Sequence, residues 1–423
     1  MAFKDIGIRP AELMLPREDI APETWACVAC DQFTSEPEYW REAEKLTENL
    51  PSTLKLMLPE CYLKDSEGRI PRIHEAMRQY IDKGILQTAV KNGFVLCERT
   101  TPSGTRLGLV VTVDLECYDY APGSKPLIRP TEQTVASRLP ARLAIRRGAP
   151  LEMSHILILI DDPNCTVLEP LRDKKDKLRP LYDFELMLGG GHLTGWAVED
   201  EEDLKKIDEA LNTLRLSLGE DPLLLAVGDG NHSLATARAA WNEIKEGLSE
   251  EEKENHPARY AMCEIENIHD EALLFEPIHR LITGAEPEEL MEAWKEYAEK
   301  RNMELNEGGD GHCFRMICAE GERKAVIANP EGSIPCETIQ LFLDQYLKDH
   351  PEAGIDYIHG EDSLRTLAGE KHRVGFLLPD IDKHGFFDDV RRLGTLPRKT
   401  FSMGEAREKR YYMECRKLFD ACS

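Results

Sequence analysis

Apolar and polar positions along the chain switch repeatedly between a two-residue and a 3.6-residue period. That pattern predicts strands and helices interleaved from end to end. In the first hundred residues, Ile73, Met77, Tyr80 and Ile81 recur at helical spacing and predict a helix over 70–86. Ser35 followed by Glu38 has capping-box spacing and predicts a helix start within 31–45. Residues 94–99 and 105–113 read as two strands joined at Pro102-Ser103-Gly104. Residues 155–161 read as a buried strand, 184–188 and 192–198 as a hairpin around the glycines 189–191, and 203–218 as an amphipathic helix. A charged connection over 247–256 leads to a strand over 260–266. Beyond a soft boundary within 267–285, helices at 287–300, 336–348 and 385–393 alternate with strands at 313–319, 324–328, near Tyr357 and at 374–378. A last helix is predicted past Ser402. The expected fold class is α/β, of the mixed α+β kind, with an N-terminal region 1–266 and a C-terminal region 267–423.

The most informative stretch is 223–237, LLLAVGDGNHSLATA. Five apolar residues predict a buried strand, the Gly228-Asp229-Gly230 turn follows, and a helix opens near His232 and Ser233. This arrangement sets an acid, a histidine and unbonded backbone N–H groups at one helix N-terminus, which attracts anions and phosphate above all. Asp229 is the candidate for holding Mg²⁺ or accepting a proton, and His232 for donating to a phosphate oxygen. A plain capped strand–helix turn is the competing reading. The spacing Gly228-x-Gly230-x-x-Ser233 nearly fits a dinucleotide turn but lacks the third glycine. Neither a P-loop, nor HExxH, nor GxSxG occurs.

Composition narrows the classes. A chain of 423 residues with a formal charge of −25 has no overall basic footprint for nucleic acid. No apolar run reaches the length of a membrane span, and the first ten residues show no secretory signal, so a cytoplasmic protein is expected. The twelve cysteines read as mostly reduced thiols, and Cys27 and Cys30, the one CxxC, as two small buried residues rather than a redox or zinc pair.

Three further segments hold candidate chemistry. Thr131-Glu132-Gln133-Thr134 lies in a locally basic stretch with Arg129, Arg138, Arg142, Arg146 and Arg147, for which a solvated helix face is the competing reading. Pro277-Ile278-His279-Arg280 offers a His-Arg pair, and Pro397-Arg398-Lys399-Thr400 sets cations and a hydroxyl ahead of a predicted helix. A structural histidine and a cationic capped loop are their alternatives.

Together, and in this order, the four segments resemble the boxes of a bacterial and archaeal family, domain of unknown function 1015. Its pattern runs HE-x-T, DGHHR, P-x-HR and P-x-KST, and the resemblance spans nearly the whole chain. Here Thr131 replaces the histidine of the first box, and Asn231 and Ser233 replace the first histidine and the arginine of the second. Losing that arginine removes a phosphate clamp, for which Arg138 or Arg398 is the expected substitute. The second box is also similar to the phosphate-binding box of the ParB/sulfiredoxin-like superfamily, which includes free serine kinases. That resemblance implies a ParB-like phosphate-binding core. It implies a small-molecule phosphotransferase acting on free serine or a related hydroxyl metabolite, with Glu132 as base and Asp229 and His232 holding phosphate and metal. Gly228, Gly230, Asn231, Ser233, Arg138, His279, Arg280, Arg398, Lys399 and Thr400 would bind phosphate. Mg²⁺ and a nucleotide or pyrophosphate donor are the expected cofactors, and a phosphorylated small molecule the expected partner. Neither nucleic acid nor membrane is expected as a partner, and a homodimer is left open. The alternatives are a non-catalytic nucleotide- or phosphate-binding regulator and a phosphate-ester hydrolase.

Overall fold

The computed structural model describes residues 3–134, 139–306 and 308–419. They form two compact units, one running to Leu273 and resuming at Ala406, the other Leu274–Glu405. No described helix is long and apolar enough to cross a membrane.

The first unit is built on a 10-stranded mixed sheet. Its principal elements are β1 (Leu86–Thr101), β2 (Gly104–Asp114), β3 (Ile128–Pro130), α1 (Leu139–Arg146), β4 (Leu157–Ile160), β5 (Arg179–Leu186), β6 (Gly191–Val198), α2 (Glu201–Ser217), β7 (Leu225–Asp229), α3 (Asn231–Lys245) and β8 (Tyr260–Asn267). Across the sheet the order is β3-β7-β4-β8-β2-β1-β6-β5, with Ile8–Arg9 beside β2 and Ala11–Pro16 beside β1. The pairs β3/β7 and β4/β8 are parallel. The β1–β2 and β5–β6 hairpins fall where alternation predicted them.

Period-two alternation divides the core into two layers, because successive strand side chains point to opposite faces. Phe94, Leu96, Leu109 and Val111 pack with Ile207 and Leu211 of α2 and with Leu234 and Trp241 of α3. Val95, Cys97, Val110 and Met262 belong to the other cluster, with Trp25, Trp40, Met77 and the late residues Tyr411 and Tyr412.

Alternation along β8 places Glu264 and Glu266 on the same face as Met262, and both carboxylates are buried. A buried charge needs a paired partner. Arg410 Nε lies 2.7 Å from Glu264 Oε2, and Arg106 Nε lies 3.5 Å from Glu266 Oε1. Gly108 leaves the room: a Cβ there would stand 2.1 Å from Glu264 Oε1. Arg410 also donates to Glu414 at 2.9 Å, and Arg416 to Glu152 at 2.5 Å. The segment from Glu408 to Arg416 is therefore buried without a break, although five of its residues carry charge.

This segment corrects one expectation. Among the described residues, no α-helix follows Ser402. The chain forms a short strand (Phe401–Met403), a 3₁₀ turn (Ala406–Glu408), and short strands Tyr411–Tyr412 and Arg416–Lys417, which pair with Cys27–Val28 and Leu151–Glu152. Ion pairs to the sheet, rather than local periodicity, fix its extended form. Nearer the N-terminus, the helix expected from Ser35 runs Pro37–Leu46. Proline takes its first turn and Ser35 is not its cap. The helix expected over 70–86 runs Ser66–Asp82, and Leu86 already belongs to β1.

The second unit contains β9 (Phe275–Thr283), α4 (Pro287–Lys300), β10 (His312–Cys318), β11 (Gly321–Ala328), α5 (Pro335–Asp349), β12 (Gly354–His359), α6 (Glu361–Ala368), β13 (Arg373–Leu377), α7 (Phe386–Leu393) and β14 (Phe401–Met403). Its sheet runs Glu304–Asn306, β11, β10, β13, β9, β12, with β14 on the first residues of β9. Trp294, Phe314, Phe342 and Phe376 fill its core.

Two predictions follow from these burials. Burial, aided by Glu264 and Asp270, pushes the Glu266 carboxyl up to about 7 against the pull of Arg106. Arg106 yields little because Glu264, Glu408 and Asp270 share it. The folded chain then keeps a proton that the unfolded chain releases near 4.5, so stability falls as pH rises from about 4.5 to 7, by up to about 1.4 kcal/mol per pH unit. Glu266→Gln should match the natural protein at pH 5 and exceed it at pH 8 in urea unfolding; parallel pH profiles would refute this. Burial also pushes the Cys27 and Cys30 thiols up to about 12, which leaves almost no thiolate at neutral pH. Iodoacetamide at pH 8 should modify exposed Cys165 in the native protein and reach Cys27 and Cys30 only after unfolding, as read by peptide mass spectrometry.

Candidate functional site

The β7–α3 turn is shaped by two glycines and an acid. At Gly228 the pairing of β7 with β4 shifts register, so Asp229 leaves the strand across a bulge. Gly230 adopts φ 79°, and a Cβ there would stand 3.0 Å from Ile156 Cγ1, so both conformation and space favour glycine. Its carbonyl accepts the N–H groups of Ser233 and Leu234 at 2.9 and 3.0 Å, which starts α3 at Asn231. The Gly230 N–H donates to Asp229 Oδ1 at 2.9 Å, folding the carboxylate over the turn. No side chain of the N-cap residue covers the first turn. His232 is half-buried, and its carbonyl accepts from Thr236 Oγ1.

The TEQT segment reaches the same turn. Parallel pairing of β3 with β7 sets Pro130 opposite Val227. Thr131 N–H donates to Asn231 Oδ1 at 3.1 Å and Thr131 Oγ1 to the Val227 carbonyl at 2.5 Å. Thr131 and Asn231, two of the positions that depart from the family boxes, are thus in contact. Glu132 follows, half-buried. Arg138, an expected phosphate ligand, lies outside the described residues.

Four groups at this turn were not singled out from sequence. Lys409 Nζ lies 3.4 Å from Asp229 Oδ2 and is the cation the turn receives, although it comes from the far end of the chain. His155, just ahead of β4, lies 3.2 Å from Ser233 Oγ through Nε2 and 2.7 Å from Tyr412 Oη through Nδ1. Asp31 Oδ2 lies 3.7 Å from the same Nε2. Burial works to raise the Asp31 carboxyl, but His155, Gln32 and Lys409 overcome it and hold it below the usual carboxylate value. Burial keeps the Tyr412 phenol protonated. Tyr412 Oη accepts the Cys30 N–H, which leaves its proton for His155 Nδ1. On this network Nε2 carries a proton in either charge state of the ring. Nε2–H then points to Ser233 Oγ, and the Ser233 proton remains available to an incoming acceptor. A sequence signal did exist: residues 407–416 set the Tyr411-Tyr412 pair between cations. Nothing local says where that segment docks.

A cavity of ≈ 150 Å³ opens beside the first turn of α3. Ser233, Thr236, His155 and Tyr412 line one side, and Leu56, Met57, Met77, Met153 and Ile156 line much of the rest.

The basic stretch that begins at Arg129 supplies no open cationic patch among its described residues. Arg129 pairs with Asp221, Arg142 with Glu60, Arg146 with Glu152 and Arg147 with Glu243. Among the described residues, no group of three or more His, Cys, Asp or Glu side chains is placed to hold a metal. Asp229 has one oxygen on Gly230 N–H and the other facing Lys409, an arrangement that does not suit a resident cation.

In the second unit, the PIHR and PRKT segments meet each other. His279 is buried and its Nδ1 accepts the Leu378 N–H at 3.2 Å. Burial drives its pKa down to about 4, so it is neutral at physiological pH. Arg280 is fully buried and donates to the carbonyls of Ile278, Arg398 and Lys399 and to Gln340 Oε1. These contacts make it the clamp of the 397–400 loop and leave it facing backbone rather than a phosphate. Thr400 Oγ1 donates to the Pro397 carbonyl at 2.5 Å. Lys399 has φ 58°, and β14 follows rather than a helix, so the helix N-terminus expected to favour phosphate here is absent. Arg398 and Lys399 are exposed, and the Arg398 guanidinium lies 5.7 Å from the Tyr357 ring centre.

Comparisons with known proteins place the chain in a family. A free serine kinase in complex with AMP is 14% identical and covers 73% of this chain and 92% of its own, with a TM-score of 0.40. A conserved hypothetical protein from Pyrococcus furiosus is 14% identical over 72% of this chain and 90% of its own, with a TM-score of 0.35. SbnI from Staphylococcus aureus, with a C-terminal truncation, is 9% identical over 69% and 81%, with a TM-score of 0.37. Likeness at this level carries no functional argument. No curated protein matches the chain. The family described as "Protein of unknown function (DUF1015)" matches residues 8–346, most of the sequence, and the chain belongs to that family.

Proposed function

We propose that this protein is a small-molecule phosphotransferase that holds donor phosphates at the β7–α3 turn and transfers a phosphoryl group to a hydroxyl metabolite. The observation that carries the reading is the approach of Lys409 to Asp229 at the uncapped start of α3. Phosphoryl transfer is mainly positioning and charge neutralisation. A lysine and the first-turn N–H groups of a helix supply both, and Lys409 takes the place of the arginine that Ser233 replaces. Gly228, Gly230, Asn231 and Ser233 shape the phosphate seat, and His232 is the added donor. Asp229 would be the protein ligand for a Mg²⁺ carried on the donor phosphates, with Lys409 turned to the phosphate, and the ion would supply charge neutralisation there.

Two carboxylates flank the turn, Glu132 after β3 and Asp31 beside His155. One of them takes the acceptor hydroxyl proton as the new O–P bond forms. The P–O bond to the leaving phosphate breaks, and that group departs with the bonding electrons. The contact of Thr131 with Asn231, in place of two family histidines, favours a second reading, in which the turn binds nucleotide without turnover.

Thermal or urea unfolding should be followed with ATP, ADP, AMP and pyrophosphate, each with and without Mg²⁺. A true ligand at a hundredfold excess over its Kd stabilises by about 2.7 kcal/mol. Lys409→Met should remove that shift and Lys409→Arg should restore most of it. No shift with any of the four would sink the reading. Phosphorus NMR then separates the outcomes: a new phosphate ester marks transfer, free phosphate marks hydrolysis, and an unchanged donor marks the regulator. Glu132→Gln and Asp31→Asn identify the base by which one lowers turnover at least a hundredfold while nucleotide still binds.

A further inference from the structure

We propose that the ≈ 150 Å³ cavity beside α3 is a binding site for an uncharged metabolite with an apolar body and one hydroxyl group, and that this is the acceptor pocket of the phosphotransferase. The second half of this statement rests on the reading above; the first half does not.

The lining decides the ligand class. Apolar side chains, Leu56, Leu58, Met57, Met77, Met153 and Ile156 among them, give most of the wall. A pocket of this size whose walls are mainly apolar has room for a benzene-sized group. The charged groups that reach the cavity are already paired with one another. Arg142 is bonded to Glu60, and Arg146 lies 3.2 Å from Glu152, which Arg416 also holds. Two cations and two carboxylates cancel. An amino-acid zwitterion would have to displace these pairs to satisfy its own ammonium and carboxylate, leaving buried charges without partners. An uncharged molecule meets no such cost.

Ser233 Oγ faces the cavity with bonding capacity to spare. Ser233 Oγ accepts from His155 Nε2, and its own proton can be given to a ligand oxygen. Ser233 stands in the first turn of α3, so a hydroxyl bonded there lies against the same turn that holds the phosphates. The three methionines make the wall adaptable, since an unbranched thioether side chain fits irregular shapes.

The methionine methyl groups also give the test. The chain has 12 methionines, and three of them line this cavity. In protein carrying ¹³C-methyl methionine, single Met→Leu changes assign Met57, Met77 and Met153. Benzyl alcohol should shift those three signals and leave the others in place, while free serine at equal concentration should move none of them. Ala149→Leu, which narrows the cavity, should weaken benzyl alcohol at least tenfold. Met57→Phe is the second filling variant if the first fails to fold. Silent cavity methionines overturn the proposal, as do equal shifts across all twelve signals. Serine shifting the three as strongly as benzyl alcohol overturns the uncharged class. Nucleotide stabilisation lost in Lys409→Met, together with silent methionines, would overturn the cavity alone. Benzyl alcohol bound at the three methionines without any nucleotide response would support the cavity and overturn the phosphotransfer reading.

Discussion

Two carboxylates on the inward face of β8 set the condition that the first unit must meet. Glu264 and Glu266 are buried at the middle of a sheet, where an unpaired charge is prohibitively costly. Arg106 from β2 answers one of them, and Arg410 answers the other from a segment more than a hundred residues away in sequence. Removing one partner from such a pair typically costs about 3–5 kcal/mol, although the whole pair adds little over a well-packed apolar equivalent. The pairs therefore fix where the C-terminal segment lies more than they add to stability. Once Arg410 and Arg416 are seated, the register of everything between Glu408 and Arg416 is fixed.

That register builds the candidate site. Lys409 is next to Arg410 and comes to Asp229; Tyr412 is two residues further and reaches His155 and the Cys30 backbone. The ion pairs that seat Arg410 and Arg416 thus deliver a cation and a phenol to the start of α3. The phosphate-attracting character of a helix N-terminus is general. What distinguishes this one is the lysine brought to it, and the serine whose proton is left available by the His155 tautomer.

The second unit shows the opposite use of charge. Arg280 is as deeply buried as any residue in the chain, yet its donors go to backbone carbonyls of β9 and the 397–400 loop. A guanidinium has five donors in a fixed fork. Here they tie a loop that carries left-handed Lys399 and leads directly into β14. A His-Arg dipeptide that reads as an anion site in sequence is, in the folded chain, a neutral histidine and a structural arginine.

Local pattern determined a good deal. The strand–Gly-Asp-Gly–helix turn, the two hairpins, α2, α4 and α5 were legible because each rests on short-range periodicity or on glycine at a turn. The strand end before Thr131 and the turn at Asp229 were singled out, and parallel pairing of β3 with β7 does bring them together. What sequence misread was the segment past Ser402, taken for a helix, and the helix start at Ser35, where Pro37 at the first helical position outweighed a capping-box spacing. Lys409, His155, Asp31 and Tyr412 were not singled out, because long-range ion pairs and hydrogen bonds place them and nothing in their neighbours' spacing reports such contacts. Sequence alone determined most of the elements and the strand–Gly-Asp-Gly–helix turn. Tertiary structure alone decided which charges meet it, because a buried carboxylate selects its partner by proximity in the fold, and that proximity leaves no periodic trace along the chain.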